Sequence, residues 1–136
     1  MERWKGKIAV VTGASAGIGE AIVKDLAKNG INVVGLARRP QKIDEYAKEF
    51  SGVDFGKIYA RKCDVSNLKS IKAAFKWIEE QFGVINILVN NAGILRDIRI
   101  LGEAEVSEKV QEIIDTNFTG LVNCTHEAFQ MINKSN

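Results

Sequence analysis

Short apolar runs alternate along this chain with longer stretches in which apolar residues recur every three or four positions. The run at 8–12, IAVVT, is β-branched, closed by glycine, and reads as a buried strand. Between 18 and 29 the apolar positions are Ile18, Ala21, Ile22, Val23, Leu26 and Ala27, a helical stripe that Gly30 stops. A second strand is predicted over 31–37 and a short helix over 42–50, just after Pro40. A third strand with a loop at its end spans 56–65. Residues 67–82 form a helix, with Asn67 as N-cap and Gly83 as stop. Residues 84–93 begin as a nearly unbroken apolar strand, as expected of a central strand covered on both faces. One long helix is predicted from Val106 to about Lys134, with Glu105 or Ser107 near its start. The order is β-α-β-α-β-α-β-α. Strands joined by helices run parallel with right-handed crossovers, so the pattern predicts an α/β, doubly wound parallel sheet.

Composition adds exclusions. The 136 residues, 46% hydrophobic and 26% charged, suit a single globular unit over 1–136 with no linker or repeat. The net charge of +2 offers no electrostatic case for a nucleic-acid partner. The first apolar run is too short for a signal peptide or a membrane span. Cys63 and Cys124 lie far apart, without metal-ligand spacing, and the lone His126 is assigned no role. The cysteines read as reduced thiols in a reducing compartment, which makes a cytoplasmic location the default expectation. Trp4 and Trp77 read as packing residues.

The chemistry starts at VVTGASAGIG, residues 10–19, where Gly13, Gly17 and Gly19 follow a strand and open a helix. Helix N-termini present unpartnered N–H groups and partial positive charge, and glycines let a phosphate approach backbone without meeting a Cβ. The G-x-x-x-G-x-G spacing is not a Walker motif, because no Lys-Ser/Thr pair follows Gly19.

Residues 12–19, TGASAGIG, resemble the TGxxxGIG motif of the short-chain dehydrogenase/reductase family. Asp64 in CDV, the NNAG run Asn90-Asn91-Ala92-Gly93 and Asn117 in DTNFTG match three further family marks in order. The finer resemblance is to the farnesol dehydrogenase-like and dehydrogenase/reductase member 11 branch. The resemblance implies a Rossmann-type fold and nicotinamide-dependent oxidoreduction of alcohols or carbonyls, with farnesol-like isoprenoid alcohols as a candidate substrate. It assigns cofactor contacts to Gly13, Ser15, Gly17, Ile18 and Gly19 in the turn, to Asp64 and Val65 after the third strand, and to Asn91, Ala92 and Gly93 after the fourth. It makes Asn117 a member of the catalytic tetrad, on a helix that kinks around it.

The residue past the second strand separates the two nicotinamide cofactors. A carboxylate there accepts from the ribose 2′-hydroxyl and repels a phosphate, whereas a basic residue favours the phosphate. Ala37 is followed here by Arg38 and Arg39, with no acid before Asp44, so NADP(H) is the expected cofactor. Plainer readings stand beside these: the arginines as a solvated loop, Asp64 as a loop carboxylate or helix cap, Asn90 and Asn91 as turn formers, and Asn117 as an exposed helix residue.

The rest of the family's tetrad is not among these residues. It comprises a serine and a Tyr-x-x-x-Lys pair, but Tyr46 is followed four positions later by Phe50, and Tyr59 by Cys63. The sequence therefore reads as the first half of the family's domain, ending before a fifth strand, and on its own as catalytically inactive. The INILV strand would then be an unpaired apolar edge. The resemblance implies homo-oligomers through the long helix, on which Val110, Ile113, Ile114, Phe118, Leu121 and Val122 supply apolar surface. The alternative is a non-catalytic short form that binds the dinucleotide or a partner.

Overall fold

The computed structural model describes residues 2–134. Four parallel strands form one sheet: β1 (Ile8–Thr12), β2 (Asn32–Ala37), β3 (Ile58–Lys62) and β4 (Ile87–Val89), in the order β3-β2-β1-β4. Helices α1 (Gly17–Lys28), α2 (Gln41–Ala47), α3 (Leu68–Phe82), α4 (Val106–Ile114) and α5 (Gly120–Asn133) connect and cover them. Val10 pairs with Val34 on one side and Leu88 on the other, and Val34 pairs with Tyr59.

Side-chain alternation divides the core between the two faces of the sheet. Val10, Val34 and Leu36 pack with Ile71, Phe75 and Ile78 of α3 and Ala128 and Met131 of α5. Ala9, Val11 and Val33 pack with Val23 and Ala27 of α1 and Ile43 and Tyr46 of α2. Both strands between two neighbours are therefore apolar along their middles, with Asn32 and Thr12 as the polar ends, as a doubly covered parallel sheet requires. Trp4 and Trp77 pack at the margins of these two clusters.

The predicted punctuation holds at three places. The side chain of Asn67 accepts from the Ser70 amide as the α3 N-cap. Gly83 ends α3 at φ +72, and Gly30, at φ +77, follows α1.

Three predicted elements differ. The third strand is shorter than 56–65 because backbone pairing with β2 ends at Ala37–Lys62, leaving only the Cys63 amide on the Ala37 carbonyl. The fourth is only Ile87–Val89, at an edge of the sheet. It pairs with Ala9–Val11 of β1, and its side chains are half-buried rather than buried. The long helix that periodicity predicts as continuous is divided into α4 and α5 by a π-helical turn, Asp115–Thr119, at the kink around Asn117 that the family resemblance implies. One extra residue per turn lets Asn117 face the loop after β4, while Gly120 comes against the segment that follows β3. A Cβ on Gly120 would lie 2.5 Å from the Val65 carbonyl oxygen.

Candidate functional site

The glycine turn is built from two constraints. Gly13 and Gly17 adopt φ of +64 and +58, in the left-handed region open to glycine at no steric cost. Gly19 has ordinary helical backbone but no room: a Cβ there would lie 2.1 Å from the Gly13 carbonyl oxygen and 2.6 Å from Asn91 Nδ2. The turn thus folds back onto the first turn of α1. The α1 N-cap is Ala16, extended at φ −161, and it makes no side-chain cap bond. The helix start keeps its N–H donors for an outside acceptor.

The chain end of β4 holds this turn from below. The Thr12 hydroxyl, buried at the end of β1, accepts from the amides of Asn91 (3.1 Å) and Ala92 (3.0 Å). Asn91 Nδ2 donates to the carbonyls of Thr12 (3.1 Å) and Gly13 (3.2 Å). A Cβ on Gly13 would come within 2.8 Å of the Ala92 Cα. Asn91 therefore braces the glycine turn. Asn90 points the other way and donates to the Thr125 hydroxyl on α5 at 2.9 Å.

Above these strand ends lies a cleft of about 440 Å³. Gly13, Ser15 and Ala16 form its floor, and Ala37, Arg38 and Arg39 one end. Cys63, Asp64, Val65 and Ser66 after β3 and Ala92, Gly93 and Ile94 after β4 also line it. The π-helical turn contributes Asp115 and Thr116, and Arg96 and Glu112 pair at 2.9 Å across the margin. Both Arg38 and Arg39 are exposed. Burial pushes the Cys63 thiol up to about 11, so this lining residue stays a protonated, weakly nucleophilic thiol at neutral pH.

Eight of the residues proposed from sequence to contact a cofactor line this cleft: Gly13, Ser15, Arg38, Arg39, Asp64, Val65, Ala92 and Gly93. Gly17, Gly19 and Asn91 shape the turn, and Ile18 is 74% exposed. Asp64 is not the helix cap, which is Asn67; its carboxylate accepts from the Ser66 amide (3.0 Å) and hydroxyl (2.7 Å). Asn117 is exposed yet doubly bonded. Its amide accepts from the Ile94 N–H at 2.7 Å and donates to the Ile94 carbonyl at 2.8 Å, which pins the loop after Gly93 to the π-helical turn.

Sequence reasoning missed two supporting residues. Thr12 is visible as the polar end of an apolar strand, but nothing in the pattern shows that it would collect two amides from beyond the end of β4. Tyr46 lies on the apolar face of α2 and is only 6% exposed, so periodicity marks it as core. Its hydroxyl nevertheless donates to the Ala14 carbonyl at 2.8 Å.

The donor set fits an anionic dinucleotide. The uncapped start of α1 offers backbone N–H groups, Gly17 opens on free space, and the guanidinium-bearing Arg38 and Arg39 line the same cleft. Among the described residues no cluster of three or more His, Cys, Asp or Glu side chains could hold a metal ion, and no helix is long and apolar enough to cross a membrane.

Comparison with known proteins agrees with this geometry. Residues 7–136 match the family model for short chain dehydrogenases. The chain is 48% identical to the farnesol dehydrogenase of Aedes aegypti over 98% of its own length and 54% of that relative. It is 36% identical to human dehydrogenase/reductase SDR family member 11 over 100% of its length and 52% of that protein. The chain thus spans about half the length of the curated relatives it matches. Among solved structures, the alcohol dehydrogenase of Thermococcus sibiricus, complexed with 5-hydroxy-NADP, superposes with a TM-score of 0.88 at 30% identity, covering 96% of this chain and 55% of that one. The L-sorbose reductase of Gluconobacter frateurii, complexed with NADPH and L-sorbose, gives 0.88 at 29% identity over 97% and 49% of the two chains. With its glycine turn, its NNAG brace and its parallel sheet all matched across nearly its whole length, this chain belongs to the short chain dehydrogenase family.

Proposed function

We propose that this chain is the cofactor-holding part of an NADP(H)-dependent oxidoreductase acting on alcohols or carbonyls. The observation that carries the reading is the pairing, in one cleft, of an uncapped helix start with Arg38 and Arg39, which follow β2 with no acid before Asp44 in the sequence. The glycine turn and the α1 N-terminus would receive the pyrophosphate, and the two arginines the 2′-phosphate. Asp64 and Val65 would lie along the adenine, and Ala92 and Gly93 toward the nicotinamide ribose. A bound nicotinamide dinucleotide supplies hydride exchange with a carbinol or carbonyl carbon. This chain's contribution is to orient it: Asn91 keeps the turn in shape, and Asn117 holds the loop at Ile94 where the reacting end would lie.

In this reading the serine and Tyr-x-x-x-Lys residues of the family lie outside this stretch, which alone turns over nothing. The names of its relatives favour an isoprenoid alcohol such as farnesol as substrate. The apolar residues exposed along α4 and α5 favour a second copy of the subunit as partner. The test is a titration of the full-length protein with NADPH and NADH. NADPH is expected to bind more tightly, and Arg38→Asp to weaken it by about ten- to a hundredfold while narrowing its margin over NADH. Equal affinity for the two cofactors before substitution, or an unchanged NADPH affinity after it, would refute the assignment.

A further inference from the structure

The residue at the centre of the glycine turn is gripped twice by a single supersecondary unit. The Ala14 N–H donates to the Leu36 carbonyl near the end of β2 at 3.1 Å, and the Ala14 carbonyl accepts from the Tyr46 hydroxyl of α2 at 2.8 Å. Leu36 and Tyr46 bracket Arg38 and Arg39 in sequence. Ala14 itself lies between Gly13 and Ser15, which floor the cleft. Packing reinforces the grip: a Cβ on Gly35 would meet both the Ala14 Cβ and Ile43 Cδ1 at 3.1 Å, so β2, α2 and the turn are in direct contact. Lys24 of α1, ion-paired with Glu20 at 2.7 Å, lies 5.2 Å from the Tyr46 ring centroid and ties the same tyrosine to the helix that the turn opens.

We infer that Tyr46 is a positioning residue that holds the pyrophosphate-receiving turn and the arginine pair in a fixed mutual register, so that one rigid ligand engages both at once. The inference rests on the dinucleotide reading above. Its physical basis is that a buried carbonyl left without its donor is costly, and the turn would shift to recover a partner. A shifted turn harms a ligand that spans both ends far more than one that touches only the arginines.

The test compares two ligands on the full-length protein and its Tyr46→Phe variant, which retains the ring and its packing. Calorimetric titrations would use NADPH, which spans the cleft, and adenosine 2′-monophosphate, which carries only the adenosine end. Tyr46→Phe is expected to weaken NADPH by about tenfold and adenosine 2′-monophosphate by less than about twofold, with the folded far-ultraviolet spectrum retained. Hydrogen exchange in the ligand-free variant should rise at residues 13–16 above that of the unsubstituted protein. Unchanged NADPH affinity, or equal loss for both ligands, overturns the positioning role and leaves the dinucleotide reading standing. An unsubstituted protein that binds neither ligand overturns both.

Discussion

The two sides of the sheet are finished to different degrees. On the β1–β2 side, β1 is buried along its whole length, β2 is buried from Val33 onward, and α1 and α2 press Val23, Ala27, Ile43 and Tyr46 into the core. On the β4 side the strand is half-buried, no residue of α4 is buried, and Ile114, Phe118, Leu121, Val122 and Phe129 stand exposed along the broken helix. The turn proposed to receive the pyrophosphate is built on the first side, where α1, β2 and α2 support it. The second side holds the turn through Asn91 but presents exposed apolar surface along α4 and α5.

The sharpest break of that contrast is Gly19→Ala. The new methyl would sit 2.1 Å from the Gly13 carbonyl oxygen, a backbone atom rather than the end of a flexible side chain. It should cost about 3 kcal/mol in urea unfolding and abolish NADPH binding by calorimetry; a variant of normal stability would mean the turn is not a rigid cradle. Next come two asparagines that each bind backbone, one at the glycine turn and one on the broken helix. Asn91→Ala strips donors from the part-buried Thr12 and Gly13 carbonyls and should cost about 2 kcal/mol. Asn117→Ala strips two bonds to Ile94 in an exposed setting, where water replaces them, and should cost about 1 kcal/mol or less. The reverse ranking in parallel denaturation curves would contradict the claim that the part-buried brace under the glycine turn is held more firmly than the exposed Asn117–Ile94 link. The smallest effect is expected at Phe118→Ser, 67% exposed. Stability should move by no more than about 0.5 kcal/mol, while sedimentation should show weaker self-association of the full-length protein. An unaltered assembly would remove the reason for reading the exposed stripe as an interface.

Much of this was legible along the chain. The alternation of apolar runs and helical stripes determined the element order, because strand and helix impose different periods on the same kind of side chain. The caps at Asn67, Gly30 and Gly83 were local and therefore readable, as was the run Gly13, Gly17, Gly19, whose spacing carries its own backbone demands. The placement of Arg38 and Arg39 at a cleft followed from the end of β2 alone.

What only the tertiary structure decided depends on groups distant in sequence. How much of INILV joins the sheet is set by its partner, and only Ile87–Val89 pair with β1, its one neighbour in the sheet among the described residues. The break in the long helix cannot be read from a continuous helical period, since it answers to the Ile94 loop and the Val65 carbonyl on other elements. Residues that the motif marks as ligand contacts divide into those that line the cleft and those, Gly19 and Asn91 above all, that hold its floor. Thr12 and Tyr46 gained their roles through hydrogen bonds to Ala92 and Ala14 that no local pattern encodes. Periodicity reports whether a side chain is buried; only the folded chain shows which polar atom it is buried against.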